Sequence, residues 1–529
     1  MSGLDVAAGT APATGLSGLD EQERYQRFDR LQQNMGRVWD AMGLNLENES
    51  VVVIPSVTLD RLGDYSGTLT QAYEERFLFL LLLLREPRLR MVYVTSTPIA
   101  PAIVEYYLAL LPGVIPSHAR ARLHMVATQD GTPRALAAKV IERPRVLDEV
   151  RRLIPDRTRC HLVPYSTTTL ERDLALALGI PLFGADPRLL PFGTKTGCRR
   201  LFAESGVLHP LGQEDVRDVD DVTRALAGMR AERPAMASAI VKLNEGVAGR
   251  GNAVVDLAGL PAPGSAEEAA ALRDRVESMA LEHVETRLED YLARLASDGG
   301  IVEERVDGTE VRSPSVQLRV TPLGEVELLS THDQVLGGPT GQRYMGCRFP
   351  ADFGYAQAIT REAAKVGRRL AEEGVLGRFA IDFVVVRDAS GAWAPYAIEL
   401  NLRKGGTTHP FLTLQFLTDG RYDPTTALFT APSGREKHLV ATDHLESELF
   451  RTLTTDDLFD IVVRNRLHFD QARQAGVVFH MLSGLSELGS VGLTAVGDSP
   501  ADADALFRRA ERILLEEAGP APEPPLPAL

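Results

Sequence analysis

The sequence predicts a protein of mixed α/β and α+β class: a doubly wound parallel sheet on the N-terminal side, a larger central unit of different construction, and a small α/β unit after it. Three observations carry this. From about 45 to 191, short apolar strands and helical stretches take turns, the pattern of a parallel sheet with crossover helices. From 192 onward that alternation stops, and a glycine-rich loop between two strands, a long charged helical stretch and an apolar hairpin replace it. The chain is 529 residues long, and at roughly 100–200 residues per domain it holds about three such units.

Residues 1–44 read as a Gly/Ala/Ser-rich disordered leader followed by a helix; no basic region precedes an apolar core, so this is not a signal peptide. In 45–191 the expected strands are Val51–Pro55, Met91–Thr95, Arg122–Val126, Cys160–Pro164 and Ile180–Gly184. Helices are expected over Thr68–Leu84, Pro101–Leu111, Pro144–Leu153 and Glu171–Leu178. No G-x-G-x-x-G follows the first strand, so a dinucleotide site has no support. In 192–432 a charged helix is expected over Ala266–Ala296, then strands at Gly300–Arg305, Pro314–Thr321 and Glu325–Ser330, a helix over Tyr355–Glu373, and the hairpin. Residues 433–518 give a helix at Thr455–Arg464, strands at Gly476–Met481 and Ser490–Val496, and a helix at Pro500–Glu517; the Pro-rich tail 519–529 is expected to be disordered.

Composition narrows the partners. A net charge of −15 and a pI of 5.3 argue against a general nucleic-acid or anionic-membrane surface. Cys160, Cys198 and Cys347 are odd in number and lack CxxC spacing, which fits a reducing, cytoplasmic compartment rather than a disulfide framework. The apolar run Phe77–Leu84 is far shorter than the roughly 20 residues of a membrane span and reads as a buried helix. Basic charge is almost all arginine. The six lysines are Lys139, Lys195, Lys242, Lys365, Lys404 and Lys437, so a lysine in a glycine-rich setting stands out.

The chemistry concentrates in the hairpin. Apolar runs Phe379–Val386 and Trp393–Leu402 flank the turn Asp388-Ala-Ser-Gly391, which brings the start of one strand opposite the end of the other. Asp382 interrupts the first run; Glu399, Asn401 and Arg403, spaced i, i+2, i+4, project from one face of the second. Three hard oxygen donors with a guanidinium one step beyond suit a divalent ion carrying nucleotide phosphates. A structural salt bridge between Asp382 or Glu399 and Arg403 is the alternative, and it gives Asn401 no purpose.

Upstream, Asn244-Glu-Gly-Val-Ala-Gly-Arg-Gly-Asn252 lies between the strands Ala239–Leu243 and Ala253–Asp256. Gly246, Gly249 and Gly251 let backbone N–H groups close on an anion, and Lys242 stands on the strand leading in. Because the loop joins two strands it is neither a Walker loop nor a Rossmann turn; a plain hairpin turn is the competing reading. Lys195, near a helix start, is either a phosphate contact beside a favourable dipole or a solvated surface lysine. Ile301–Glu310 runs from a strand into a connecting segment, where backbone groups can pair with an adenine edge and a carboxylate with ribose hydroxyls. A Glu-rich surface turn reads the same. His332 and His409 have no second histidine or cysteine at ligand spacing, so zinc is not expected. Thr331–Gly346 reads as a polar, glycine-rich loop, a lid or plain surface.

Taken in order, Lys195, Lys242 with its glycine loop, Glu303-Glu304, Asp382 and Glu399-Leu-Asn-Leu-Arg403 resemble the ATP-grasp ligases. The phrases Ser313-Pro-Ser-Val-Gln, Thr331-His-Asp-Gln and Asn401-Leu-Arg-Lys-Gly-Gly-Thr-Thr-His-Pro410 look like the pheganomycin-type peptide ligases. The resemblance implies a pre-ATP-grasp domain over 45–191, an ATP-grasp core of two α+β subdomains over 192–432 and a small C-terminal domain over 433–518. It implies Lys195 and Lys242 as phosphate-binding lysines, with Gly246, Gly249, Arg250 and Gly251 in the loop that covers the phosphates. Glu303, Glu304 and Val306 fall at the adenine hinge and Glu310 at the ribose. Asp382, Glu399 and Asn401 fall at the magnesium ligands, and Arg403, with Lys242, at the catalytic cations.

The activity so implied is ATP- and Mg2+-dependent amide formation. The carboxylate of an amino acid becomes an acyl phosphate, and an amine, typically a peptide N-terminus, displaces phosphate. Partners would be a small-molecule carboxylate and an amine or peptide, in a family that often forms homodimers. A phosphotransferase on the same fold and a non-catalytic ATP-binding regulator are the alternatives. No residue in the sequence stands out as the base for the amine.

Overall fold

The computed structural model describes residues 16, 18–44, 49–56, 67–246, 251–283, 285–339 and 341–519. Its first sheet is parallel, with β1 (Glu49–Ile54), β2 (Leu89–Thr95), β3 (Leu123–Ala127) and β4 (Cys160–Pro164) in the order β3-β2-β1-β4. The near-continuous apolar run Val51–Ile54 suits the inner position of β1, since both faces of a parallel sheet are covered. Alternate residues enter opposite cores: Val51, Val53, Met91 and Tyr93 on one side, Val52, Ile54, Val92 and Val94 on the other. The fifth expected strand contributes one parallel bridge, Leu162 to Leu182. Pro181 accepts from the Leu162 N–H but has none of its own to extend the ladder.

The run Phe77–Leu84 is buried, but not as one α-helix over 68–84. An α-helix over Gly67–Glu75 passes into a 3₁₀ helix over Arg76–Arg85. This run is apolar on every side and packs against the helices Pro101–Ala109 and Thr408–Thr418, so no single apolar stripe imposes a 3.6-residue repeat. Among the described residues no helix is long and apolar enough to cross a membrane.

Two further sheets follow. The smaller contains β5 (Gly212–Val216), β6 (Ser238–Leu243), β7 (Asn252–Asp256), β8 (Ala280–Leu281) and β9 (Gly300–Glu304), ordered β5-β9-β6-β7-β8. The stretch expected as one helix over Ala266–Ala296 is divided by β8, where Leu281 pairs with Ala253; helices Glu268–Glu277 and Leu288–Asp298 lie on either side.

The larger sheet holds β10 (Glu310–Arg312), β11 (Pro314–Val320), β12 (Val326–Gly337), β13 (Arg343–Phe349), β14 (Gly377–Arg387) and β15 (Trp393–Asn401). After a separate hairpin, β16 (Arg421–Asp423) with β17 (Leu428–Thr430), it continues with β18 (His438–Glu446), β19 (Gly476–His480) and β20 (Ser490–Gly497). β14 lies between β15 and the β10–β11 pair, and the path runs on through β12, β13, β18 and β20 to β19. The strands of the last unit therefore join the central sheet, through Cys347 opposite Ala441. Thr331–Gly346, expected as a loop, is mostly the β12–β13 hairpin. His332 in it is a core residue, hydrogen-bonded to Ser330 and packed on Phe349 and Phe411, with its pKa pushed down to about 3 by burial.

Candidate active site

The hairpin β14–β15 sets the first side of the site. Asp382 stands opposite Glu399, and Ala380 opposite Asn401. A bulge between Asp382 and Phe383 places Ala397, rather than Ile398, opposite Phe383. In an unbroken strand Ala397 and Glu399 would share a face. The extra residue separates them: Ala397 enters the core beside Phe383, while Glu399 and Asn401 stay with Asp382. Asn401 Nδ2 donates to Asp382 Oδ2 at 3.0 Å, and Ser315, opposite Asp382 on β11, hydrogen-bonds the same carboxylate.

Lys195 begins the helix Lys195–Glu204, whose N-cap Thr194 accepts from the Gly197 N–H. Its ammonium lies 2.6 Å from Glu399 Oε1. The same helix start is tied to the smaller sheet, because Lys195 N–H donates to the Asn244 carbonyl and Thr196 N–H to the Asn244 side chain. Two residues before Asn244, Lys242 on β6 forms an ion pair with Glu303 on β9, and Arg199 reaches Glu303 at 3.3 Å. Both Lys242 and Glu303 are buried. The lysines expected at phosphates thus approach Glu399 from two elements, each held by a carboxylate.

The charges are strongly coupled. Burial, and then the charge of Glu399, push Asp382 up to about 6. Burial works in the same direction on Glu399, but Lys195, Lys242 and Arg403 outweigh it and hold that carboxyl below its ordinary range. Burial opposes the Lys195 ammonium, yet Glu399 keeps its pKa raised.

Other expected residues are placed differently. Arg403 lies beyond the end of β15, in a bend, where it donates to the Lys404 carbonyl at 3.1 Å and to Tyr165 Oη at 3.5 Å. It is therefore not a third side chain of the strand face. Glu304 pairs with Arg233, and Val306 is half-buried in the segment after β9. Glu310 stands apart from the lysines: its carboxylate is taken by Arg312 and Arg387, at the end of β14 away from Asp382. Gly246 and Gly251 approach each other at the base of the glycine loop, where a Cβ on Gly246 would lie 3.3 Å from Gly251. Gly249 and Arg250 lie outside the described residues.

Sequence reasoning missed Tyr165, Arg199, Ser315, Gln317 and Arg378. Ser315 and Gln317 had a signal, as polar residues two apart within an apolar strand. Gln317 now bridges to Thr407 and Thr408 after the hairpin. Tyr165 had none, because it reaches Arg403 from a different sheet.

Residues 190–295 and 266–425 match the model of the IQCH-like ATP-grasp family, and 457–510 match that of the PGM1 C-terminal domain. The chain is 30% identical over 457 residues to the L-propargylglycine–L-glutamate ligase of Streptantibioticus cattleyicolor, covering 85% of this chain and 90% of that protein. It is 26% identical over 363 residues to IQ motif-containing protein H of Danio rerio, covering 60% of this chain but 34% of that longer protein. Among solved structures, the biotin carboxylase domain of Hydrogenobacter thermophilus 2-oxoglutarate carboxylase, in complex with MgADP, ADP and bicarbonate, has a TM-score of 0.52 at 12% identity, covering 87% of this chain and 89% of that one. The Campylobacter jejuni biotin carboxylase–β-γ-ATP complex has the same TM-score at 12% identity, covering 90% and 96%. The two structures share the fold.

Proposed function

Because the chain belongs to the ATP-grasp carboxylate–amine ligases, we propose that it activates the carboxylate of an amino acid with ATP and joins it to the amine of a second amino acid or a peptide. In this reading 45–191 is the pre-ATP-grasp domain, 192–432 the catalytic core and 433–518 a small C-terminal domain whose strands extend the core's larger sheet. The observation that carries the reading is the convergence of two lysine–carboxylate pairs, Lys195 with Glu399 and Lys242 with Glu303, beside Asp382 and Asn401.

Asp382, Glu399 and Asn401 fit a magnesium ion. They bring three oxygen-bearing side chains together from facing strands, and two of these are carboxylates whose mutual repulsion helps push Asp382 to about 6. Held by these residues, a divalent cation would remove that repulsion and supply charge neutralisation for phosphoryl transfer.

The chain's own residues then have defined tasks. Lys195 and Lys242 exchange their carboxylate partners for phosphate oxygens, leaving Glu399 to the cation. Arg403, planar and permanently charged, faces the acyl phosphate and the oxyanion formed when the amine attacks. The carboxylate oxygen bonds to the γ-phosphorus as ADP leaves; the amine nitrogen then bonds to the carbonyl carbon as phosphate leaves, and the amine loses a proton.

Arg378, with two buried nitrogen-bearing side chains near it, supports a substrate that carries its own carboxylate. Arg378 lies on the same face of β14 as Asp382, directly opposite Arg319; Arg319 is neutralised by Glu327, whereas a buried Nη1 of Arg378 has no partner among the described residues. Lys404 donates to the Pro164 carbonyl at 2.5 Å, and burial, with Arg378 nearby, lowers its pKa to about 7. Nδ1 of His161, on β4, is also buried without a partner among the described residues; burial, with Lys404 nearby, lowers that ring's pKa to about 4, so it is present as a neutral imidazole. An amino acid offers both the amine and the anion these groups lack. The relative from Streptantibioticus cattleyicolor is named for joining two amino acids, which agrees with this choice.

The test is ADP release from purified protein and Mg-ATP across pairs of amino acids, with product mass measured. Hydroxylamine in place of the amine should give a hydroxamate. ADP release with neither amide nor hydroxamate would sink the acyl-phosphate reading.

A further inference from the structure

Behind Arg403, three buried side chains from three elements meet. His409 comes from the helix Thr408–Thr418, Asp443 from β18 and His480 from the end of β19. His480 Nε2 lies 2.9 Å from Asp443 Oδ1, His409 Nε2 lies 3.1 Å from the same oxygen, and the two Nε2 atoms are 3.0 Å apart. We propose that His409, Asp443 and His480 form a binding site for a divalent first-row transition-metal ion, distinct from the magnesium site proposed at Asp382 and Glu399.

The three distances carry the argument, because with Asp443 held ionised by its ion pair with Arg76 no placement of the ring protons satisfies all of them. If both Nε2 atoms carry hydrogen, two donors face each other at 3.0 Å. If only one does, the lone pair of the other faces a carboxylate oxygen. Three lone pairs aimed at one cation satisfy every contact. Around a metal with bonds of about 2.1 Å, ligands at right angles lie about 3.0 Å apart, so the triangle matches one face of an octahedral site. Two imidazoles and a carboxylate are a donor set that such ions favour and magnesium does not. His409 Nδ1 has no partner among the described residues, so nothing forces the ring proton onto Nε2.

The surroundings hold these atoms in place. The His480 ring occupies space that only glycine leaves, since a Cβ on Gly492 would lie 2.1 Å from its Nε2. The second oxygen of Asp443 accepts from Arg76 Nη1 at 2.6 Å, which orients the carboxylate. Buried Glu75, next to Arg76, accepts from the Ser483 N–H three residues after His480 and so ties the helix carrying Arg76 to the end of β19. Arg76 also lies over the Tyr165 ring, and Tyr165 meets Arg403, so a metal here would brace the arginine of the active site from behind.

The experiment uses tag-free full-length protein without ATP. After incubation with zinc and gel filtration, metal analysis should give about one zinc per chain. Glu399→Gln, which removes a magnesium ligand, should retain it, whereas His480→Asn and His409→Asn should each lose it by at least about tenfold while folding normally by circular dichroism. Cobalt(II) added to the wild type should give visible d–d bands that zinc displaces. Wild-type protein that retains no zinc and gives no cobalt bands would overturn the site, as would equal retention by the wild type and both histidine variants. Loss of zinc from Glu399→Gln would assign the metal to the catalytic cleft instead.

Discussion

Lys195 and Glu399 form an ion pair at 2.6 Å that joins the start of a helix to the strand carrying the magnesium candidates. The lysine is 7% exposed and the carboxylate 27%, so the pair is well shielded from water. The lysine proposed for a phosphate and the carboxylate proposed for a cation thus satisfy each other. On that proposal, Mg-ATP would offer each a new partner of opposite charge.

Glu399→Gln and Asp382→Asn should each lower ADP formation by about 10²–10³-fold, since each removes a charged ligand from the phosphoryl-transfer site. Circular dichroism should show the fold retained. Near-normal amide formation by either variant would remove the metal assignment.

Lys242→Ala should reduce kcat/KM for ATP by about 10²-fold. Glu303, which Lys242 pairs with, keeps Arg199 as a partner, so the stability loss should stay small compared with the kinetic loss. Nucleotide titration and thermal unfolding, run side by side, separate the two effects.

Asp382 gives a pH signature. Its folded pKa, about 6, lies above its ordinary value of 3.8, so the folded state holds the proton more tightly and this group's contribution falls as pH rises between those values. Ligand-free Asp382→Asn should therefore be more stable than the wild type at pH 7.5 and show no such advantage at pH 4. Equal differences in unfolding midpoint at both pH values would mean that Asp382 ionises normally.

Arg378→Gln should raise the KM for the amino-acid acceptor about tenfold, close to 1.4 kcal/mol, and leave the KM for ATP unchanged. It should also raise the unfolding midpoint, because it removes an unneutralised guanidinium opposite Arg319. An unchanged acceptor KM would place the substrate carboxylate elsewhere.

Much of the site was legible because its residues break local patterns. Asp382, Glu399 and Asn401 interrupt apolar strands that otherwise have every reason to stay apolar, and Lys195 and Lys242 stand out in a chain whose basic charge is almost all arginine. The hairpin and the alternating N-terminal unit could be read for the same reason: a strand's period of two and a helix's period of 3.6 are properties of neighbours in sequence. Where no period exists the reading was coarser: the uniformly apolar run is a buried helix, but of 3₁₀ rather than α type, and the charged stretch read as one helix is interrupted by β8.

By itself, then, the sequence singled out most of the side chains proposed to carry the chemistry and determined that strands present most of them. Tertiary structure decided which of them meet. The bulge beside Ile398 turns Glu399 away from the face of Ala397, the end of β15 releases Arg403 toward Tyr165 on another sheet, and Glu310 goes to Arg387. His409 shows the division most plainly. It has no ligand partner near it in sequence, yet packing brings Asp443 and His480 to within 3.1 Å, because contacts across strands and sheets depend on how the chain returns and not on spacing along it.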